Sequence, residues 1–92
     1  RYGRLRLKFL KEEMKPVYTK MLMEDSLTDY LLEVDARATD MENMLINEMK
    51  KYQNIDEKLK EKDQMKWVGA MNMIAYSARE MVLGKCINTY NI

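Results

Sequence analysis

Leu27, Leu31, Val34, Ala38, Met41, Leu45, Met49 and Tyr52 follow one another at steps of 4, 3, 4, 3, 4, 4 and 3. Such steps keep successive side chains on one side of a 3.6-residue turn, whereas a strand would scatter them over both faces of a sheet. The run predicts a single helix over 27–52, roughly 39 Å long at 1.5 Å per residue. Its outer face carries most of the acidic charge. Ser26 is a suitable N-cap for it, and Asp29 places negative charge in its first turn. A seam of this length needs apolar partners along it.

Two regions supply them. Gln53 and Asn54 form a polar break, Asn54 or Asp56 can cap a following helix, and Ile55 and Leu59 give its first apolar contacts. That helix is expected to run over 56–83. It carries two overlapping stripes, Trp67, Met71, Ile74, Ala78, Met81 and Val68, Met71, Ala75, Ala78, Val82, and reads as the central helix because so much of its circumference is apolar. Gly69, Ala70 and Ser77 keep another side slim enough for a neighbouring helix. Gly84 ends or loosens the helix, and the tail 84–92 reads as either a frayed turn or a docked strap. At the other end, Tyr2, Leu5, Leu7, Phe9, Leu10 and Met14 form the apolar side of a helix over 2–14. Arg6 and Glu13 fall among them, so one or both should reach a polar partner on another helix. Pro16, tolerated in a first turn, starts a short helix over 16–23 with Val17, Tyr18, Met21 and Leu22 inward.

Ten Met against three Gly and one Pro suit continuous helices and starve the turn chemistry of a sheet protein. The fold class is all-α: one domain over 1–92, a small helical bundle of two long antiparallel helices with two shorter N-terminal helices packed across them. A chain of 92 residues buries only roughly 60–65% of its unfolded surface, so its margin of stability is thin. The single Cys86 makes no internal disulfide, no leader pattern is present, and charges interrupt every apolar run well short of the roughly 20 residues of a membrane span. These features point to a cytoplasmic protein that does not enter membranes. A chain that starts at Arg1 rather than Met is expected to be part of a longer reading frame.

Charge is unevenly spread. Residues 1–20 carry a net +5, residues 21–63 a net −6 and residues 64–92 a net +2. Arg1, Arg4, Lys8, Lys11 and Lys15 recur at spacings of 3, 4, 3 and 4, which lines them along the back of the first helix. Five cations on one face can contact phosphates, with Tyr2 near enough to stack or hydrogen-bond, so this stripe is the candidate nucleic-acid-binding surface. The bland alternatives are a solvated helix back, or a helix paired with the protein's own acidic segment. No helix-turn-helix spacing, RNA-binding fingerprint or zinc-finger pattern accompanies it.

Enzyme chemistry finds no footing. With no His in the chain there is no Ser-His or Cys-His activation and no His-based metal site. Cys86 sits near a helix C-terminus, where the dipole disfavours thiolate, and reads as a packing residue. Asp56, Glu57, Glu61 and Asp63 alternate with Lys58, Lys60 and Lys62, a self-compensated solvated face rather than a metal cradle. No cofactor is implied. The methionines are most simply core filler, although a Met-rich surface can also repack around partners.

The stretch DQMKWVGAMNMI, residues 63–74, holds the only Trp. Asp63 and Trp67 lie one turn apart, as do Gln64 and Val68, so acid and amide sit at the rim where the helix enters the core. Asn72 reads as a core asparagine that fixes register. Asp63, Gln64, Trp67 and Asn72 are therefore a structural signature, or else the floor of a polar notch for a partner.

These residues also carry a resemblance. Tyr2, Gly3 and Arg4, then Leu10, Lys11 and Glu12, then Tyr18 and Thr19, and later Asp63, Gln64, Met65, Trp67, Val68, Met71, Asn72, Glu80, Val82 and Leu83 occur in the order seen in the small transposon-encoded TnpV family, which the chain resembles over most of its length. The resemblance implies an accessory or cargo protein of mobile elements in Gram-positive bacteria and no defined reaction. It also implies a further N-terminal segment and a more regular helical finish than GKCINTYNI. Together with the residues, it predicts a non-enzymatic accessory protein that binds nucleic acid through the basic stripe. The alternative is a protein-interaction module, a homodimer through the long seam or an inhibitor of a host or element protein.

Overall fold

A computed structural model describes all 92 residues as five α-helices with no strand. They are α1 (Tyr2–Glu13), α2 (Lys15–Met23), α3 (Leu27–Tyr52), α4 (Glu57–Lys62) and α5 (Gln64–Val82), and a π-helical turn, Leu83–Ile87, extends α5. The molecule is a rod of 56 × 19 × 17 Å.

The spine of the rod is α3. α1 lies antiparallel on its N-terminal half, α5 lies antiparallel on its C-terminal half, and the π-turn and tail wedge between α1 and α3. The core forms where these elements meet: Tyr2, Val34, Ala38, Val82 and Ile87 are buried together, with Leu5, Tyr30, Met41, Leu45, Leu83 and Cys86 packed around them. The seam read along α3 supplies Val34 and Ala38 to this core. Its last member, Tyr52, is 90% exposed, so burial along the seam does not extend to the end of the spine.

Both turns flanking α3 use the left-handed region without glycine, at Asp25 (φ 55°) and Asn54 (φ 56°). Short polar side chains tolerate that conformation. In each turn the N–H of the next residue reaches back five positions, Ser26 to the Met21 carbonyl and Ile55 to the Lys50 carbonyl, which satisfies carbonyls at the helix ends. Ile55 is buried beneath its turn.

Several expectations need correction. The second long helix is two helices: Asp63 leaves helical geometry (φ −149°, ψ 87°) and its carboxylate accepts the Lys66 N–H. Asp56 does the same for Leu59 at the start of α4. Two N-cap signals seven residues apart thus divide what apolar periodicity alone reads as continuous. α5 is not the central helix, since it buries only Ile74, Ala78 and Val82, and Met65, Met73 and Tyr76 lie exposed on its other side. Too few helices exist to surround it. Asn72 is exposed rather than a core residue, so its amide fixes no register. The α1–α2 joint is Met14, non-helical and buried, and Lys15 opens α2. None of α2 is fully buried, and Leu22, expected inward, is exposed.

Arg6 meets its expectation in full. It is fully buried, and it donates from Nε to the Tyr30 hydroxyl, from one terminal nitrogen to the carbonyls of Ile87 and Thr89, and from the other to the carbonyl of Asn91. No carboxylate faces it. Its charge is instead met by the Ile87 carbonyl at the negative end of a helix, where a cation is favoured, and by the Thr89 and Asn91 carbonyls of the tail. These bonds hold the tail as a docked strap, and Tyr90 closes it with an edge-on contact to Phe9, ring centroids 5.3 Å apart. Glu13 stays exposed, within 3.4 Å of the Tyr90 hydroxyl.

Candidate nucleic-acid interface

α1 has no local cap, because Arg1 occupies the N-cap position. Asp35 of α3 performs that role from another helix: one carboxylate oxygen accepts the N–H groups of Tyr2 (2.8 Å) and Gly3 (3.1 Å). With Tyr2, Arg6 and Leu10 buried, the orientation of α1 is fixed and its opposite side must face water.

Arg4, Lys8 and Lys11 lie on that opposite side, all exposed and none in an ion pair. Lys15 is also exposed and unpaired, but it belongs to α2, beyond the Met14 break. Its place beside the others depends on the joint and not on the helical wheel. Arg1 differs. Its guanidinium stacks 4.9 Å from the Tyr2 ring and approaches Glu42 at 3.4 Å, so one of the five cations is engaged by the acidic spine.

Tyr2, read from sequence as a neighbour for phosphates, is 1% exposed and donates its hydroxyl to Glu42. It is a core residue, because it falls on the wheel with Arg6 and Leu10 and away from the cations. Lys11 lies over the Tyr18 ring at 5.7 Å, which leaves Tyr18, half-buried on α2, as the aromatic group of this face.

The structure adds cations that sequence reading missed. Arg79 of α5 lines the same groove as Lys8, together with Phe9, Glu12 and Asn88, and Lys20 lines a shallow hollow with Lys15 and Thr19. No spacing could have linked Arg79 to Lys8, because their proximity comes from the docking of the π-turn on α1. Lys20 was visible in the +5 segment but falls off the five-residue repeat. Glu12 is the one carboxylate in the Lys8 groove, and it lowers the local potential there.

The stretch 63–74 does not gather into a notch. Asp63 caps α5, Gln64 is exposed beside it, and Trp67 is half-buried with the Lys60 ammonium 4.9 Å above its ring. Asn72 lies nine residues from Asp63, half a turn out of phase, on the opposite side of the helix. An open cleft at this end is lined by Lys50, Lys51, Asn54, Asp56 and Trp67, and Asp63, Gln64 and Asn72 are not part of it.

No group of three or more acidic or cysteine side chains converges as a metal cradle, and no helix is long and apolar enough to cross a membrane. Cys86 packs its thiol 3.7 Å from the Met41 sulfur. No curated protein and no solved structure matches the chain. The model of the family described as transposon-encoded protein TnpV does match it, over residues 1–87 of 92. A match of that extent, carrying both the cationic helix and the capped helix α5, shows that the chain belongs to the TnpV family of transposon-encoded proteins.

Proposed function

We propose that the protein is a non-enzymatic accessory factor of its mobile element and binds nucleic acid through the cationic face of α1. The observation that supports this is the freedom of Arg4, Lys8, Lys11 and Lys15, which remain exposed and unpaired although α1 is docked on an acidic spine. A helix that served only to neutralise that spine would turn these charges toward it, as Arg1 does. Arg79 and Lys20 widen the face, so the footprint follows phosphates rather than reading bases, and recognition depends on backbone charge.

Salt titration tests the reading. With about four to five phosphates neutralised, log Kd against log salt should have a slope of about 4 in magnitude on duplex DNA. Replacing Arg4 and Lys8 together with Glu should remove binding at low salt while the helical content stays unchanged. Absence of binding to DNA and RNA at low ionic strength would refute it. The alternative, a protein-interaction module, draws on a different surface.

A further inference from the structure

The long seam of α3 is used within the chain, but α5 carries a second seam on its outer side. Met65, Gly69, Asn72, Met73 and Tyr76 follow steps of 4, 3, 1 and 3, and this row lies opposite Ile74 and Ala78, which face the core. Met65 is 84% exposed, Met73 67% and Tyr76 63%, with Val68 beside them at 40%. Between Met65 and Tyr76 the one charged residue is Lys66, at the edge of the row. Gly69 has nothing within 4 Å of the place where a Cβ would sit, so it forms a dent among bulky neighbours. An uncharged face with large side chains around a small one is built like a helix-packing surface.

Charge at the ends of this row selects the occupant. Lys66 and Glu80 flank it on one edge, fourteen residues or about four turns apart, both exposed and neither in an ion pair. Their midpoint is Met73. When a second α5 packs antiparallel about that midpoint, residues of the same edge meet, so Lys66 faces Glu80 of the second copy at both ends of the contact. Gly69 then comes opposite Tyr76 and Ser77 of the second copy, and the ring enters the dent. Parallel packing would bring opposite edges together and leave Lys66 and Glu80 at different heights, so neither would meet an opposite charge of this kind. We infer that the outer face of α5 is a self-association surface, and that two copies of this chain pair there through antiparallel α5 helices. With four large apolar side chains per copy the contact falls near the low end of specific interfaces, about 1,000 Å², and a weak association is expected, with a dissociation constant on the order of 0.1 mM.

The test is sedimentation equilibrium of the chain from micromolar to millimolar concentration. The weight-average mass should climb from one chain to two. Tyr76→Asp and Met73→Asp alter exposed positions and should keep the parent circular dichroism while holding the protein monomeric. Lys66→Glu alone and Glu80→Lys alone should each raise the dissociation constant at least about threefold, and the two together should restore it, since only antiparallel pairing brings those positions face to face. A protein that stays monomeric throughout, a dimer that survives Tyr76→Asp, or a double exchange that fails to recover would each overturn the inference. Arg4, Lys8, Lys11 and Lys15 lie on α1 and α2 and take no part in this contact, so loss of nucleic-acid binding through them and loss of self-association are separable in the same set of variants.

Discussion

The Arg6 guanidinium donates to the Thr89 carbonyl over 2.6 Å, joining residues 83 positions apart. Arg6 is buried without a carboxylate, and four of its hydrogen bonds end on Tyr30 and the last residues of the chain. Removing one side of such a network leaves polar groups stranded, which costs more than the intact network contributes. Arg6→Ala should therefore destabilise the fold by about 3 kcal/mol. Arg6→Lys keeps the charge but not the planar fork, and should recover about half of that. Deleting residues 88–92 should cost less than Arg6→Ala, since the guanidinium then reaches water. Urea denaturation of the three variants gives the order directly. An Arg6→Ala protein within about 0.5 kcal/mol of the parent would contradict it.

Asp35 caps α1 from across the interface, and the cap is what orients the cationic face. Asp35→Ala leaves the Tyr2 and Gly3 N–H groups without an acceptor and should cost about 1–2 kcal/mol. Asp35→Asn retains an acceptor oxygen and should lose less than half as much. The same substitution should also weaken nucleic-acid binding at constant salt in proportion to the fraying of α1, seen as lost amide protection over residues 2–5.

Two glycines should respond with opposite signs. A Cβ on Gly3 would lie 3.3 Å from the Leu31 carbonyl oxygen, backbone in the interior of α3 that cannot yield, and 3.6 Å from the Asp35 Cβ. Gly3→Ala therefore pushes α1 off the spine and should destabilise, despite the higher helix propensity of Ala. Gly69 has open space, so Gly69→Ala should stabilise the monomeric fold by about 1 kcal/mol. Thermal unfolding at low protein concentration, where self-association does not contribute, compares the two.

Much of this architecture is legible in the residues. The α3 seam, the Pro16 break, the cationic row and the odd placement of Arg6 all follow from local spacing, because a helix converts spacing into direction. What is not legible depends on which face meets which. The periodicity of α5 shows apolar residues nearly all round, and only the number of available neighbours decides that Ile74 is covered and Met73 is not. The tail could be read as strap or fray, since the carbonyls that accept from Arg6 have no sequence signature. The division at Asp63 was present as an N-cap residue but was overridden by the apolar rhythm on either side of it. Arg79 joins Lys8 only through tertiary packing, and the Tyr2 hydroxyl turns to Glu42 rather than to the cations beside it in sequence.

Stability should be graded along the rod. Every buried residue except Met14 and Ile55 belongs to α1, α3, the C-terminal half of α5 or the π-turn. At the far end the last turns of α3, α4 and the start of α5 share only Ile55 as a buried residue, with Tyr52 and Met65 in water. Opening free energy follows local burial, so amide exchange should be fastest over roughly residues 46–68 and slowest over α1, residues 30–41 and residues 74–87. The Asp63 cap sits within the weak end. Asp63→Ala removes the acceptor for the Lys66 N–H and should cost about 1 kcal/mol locally, speeding exchange in α4 and the first turn of α5. The slowest amides should keep their rates, because they exchange only by opening the packed end. Uniform acceleration of all amides in Asp63→Ala would mean that the far end and the packed end unfold as one unit, and the graded description of the rod would fail.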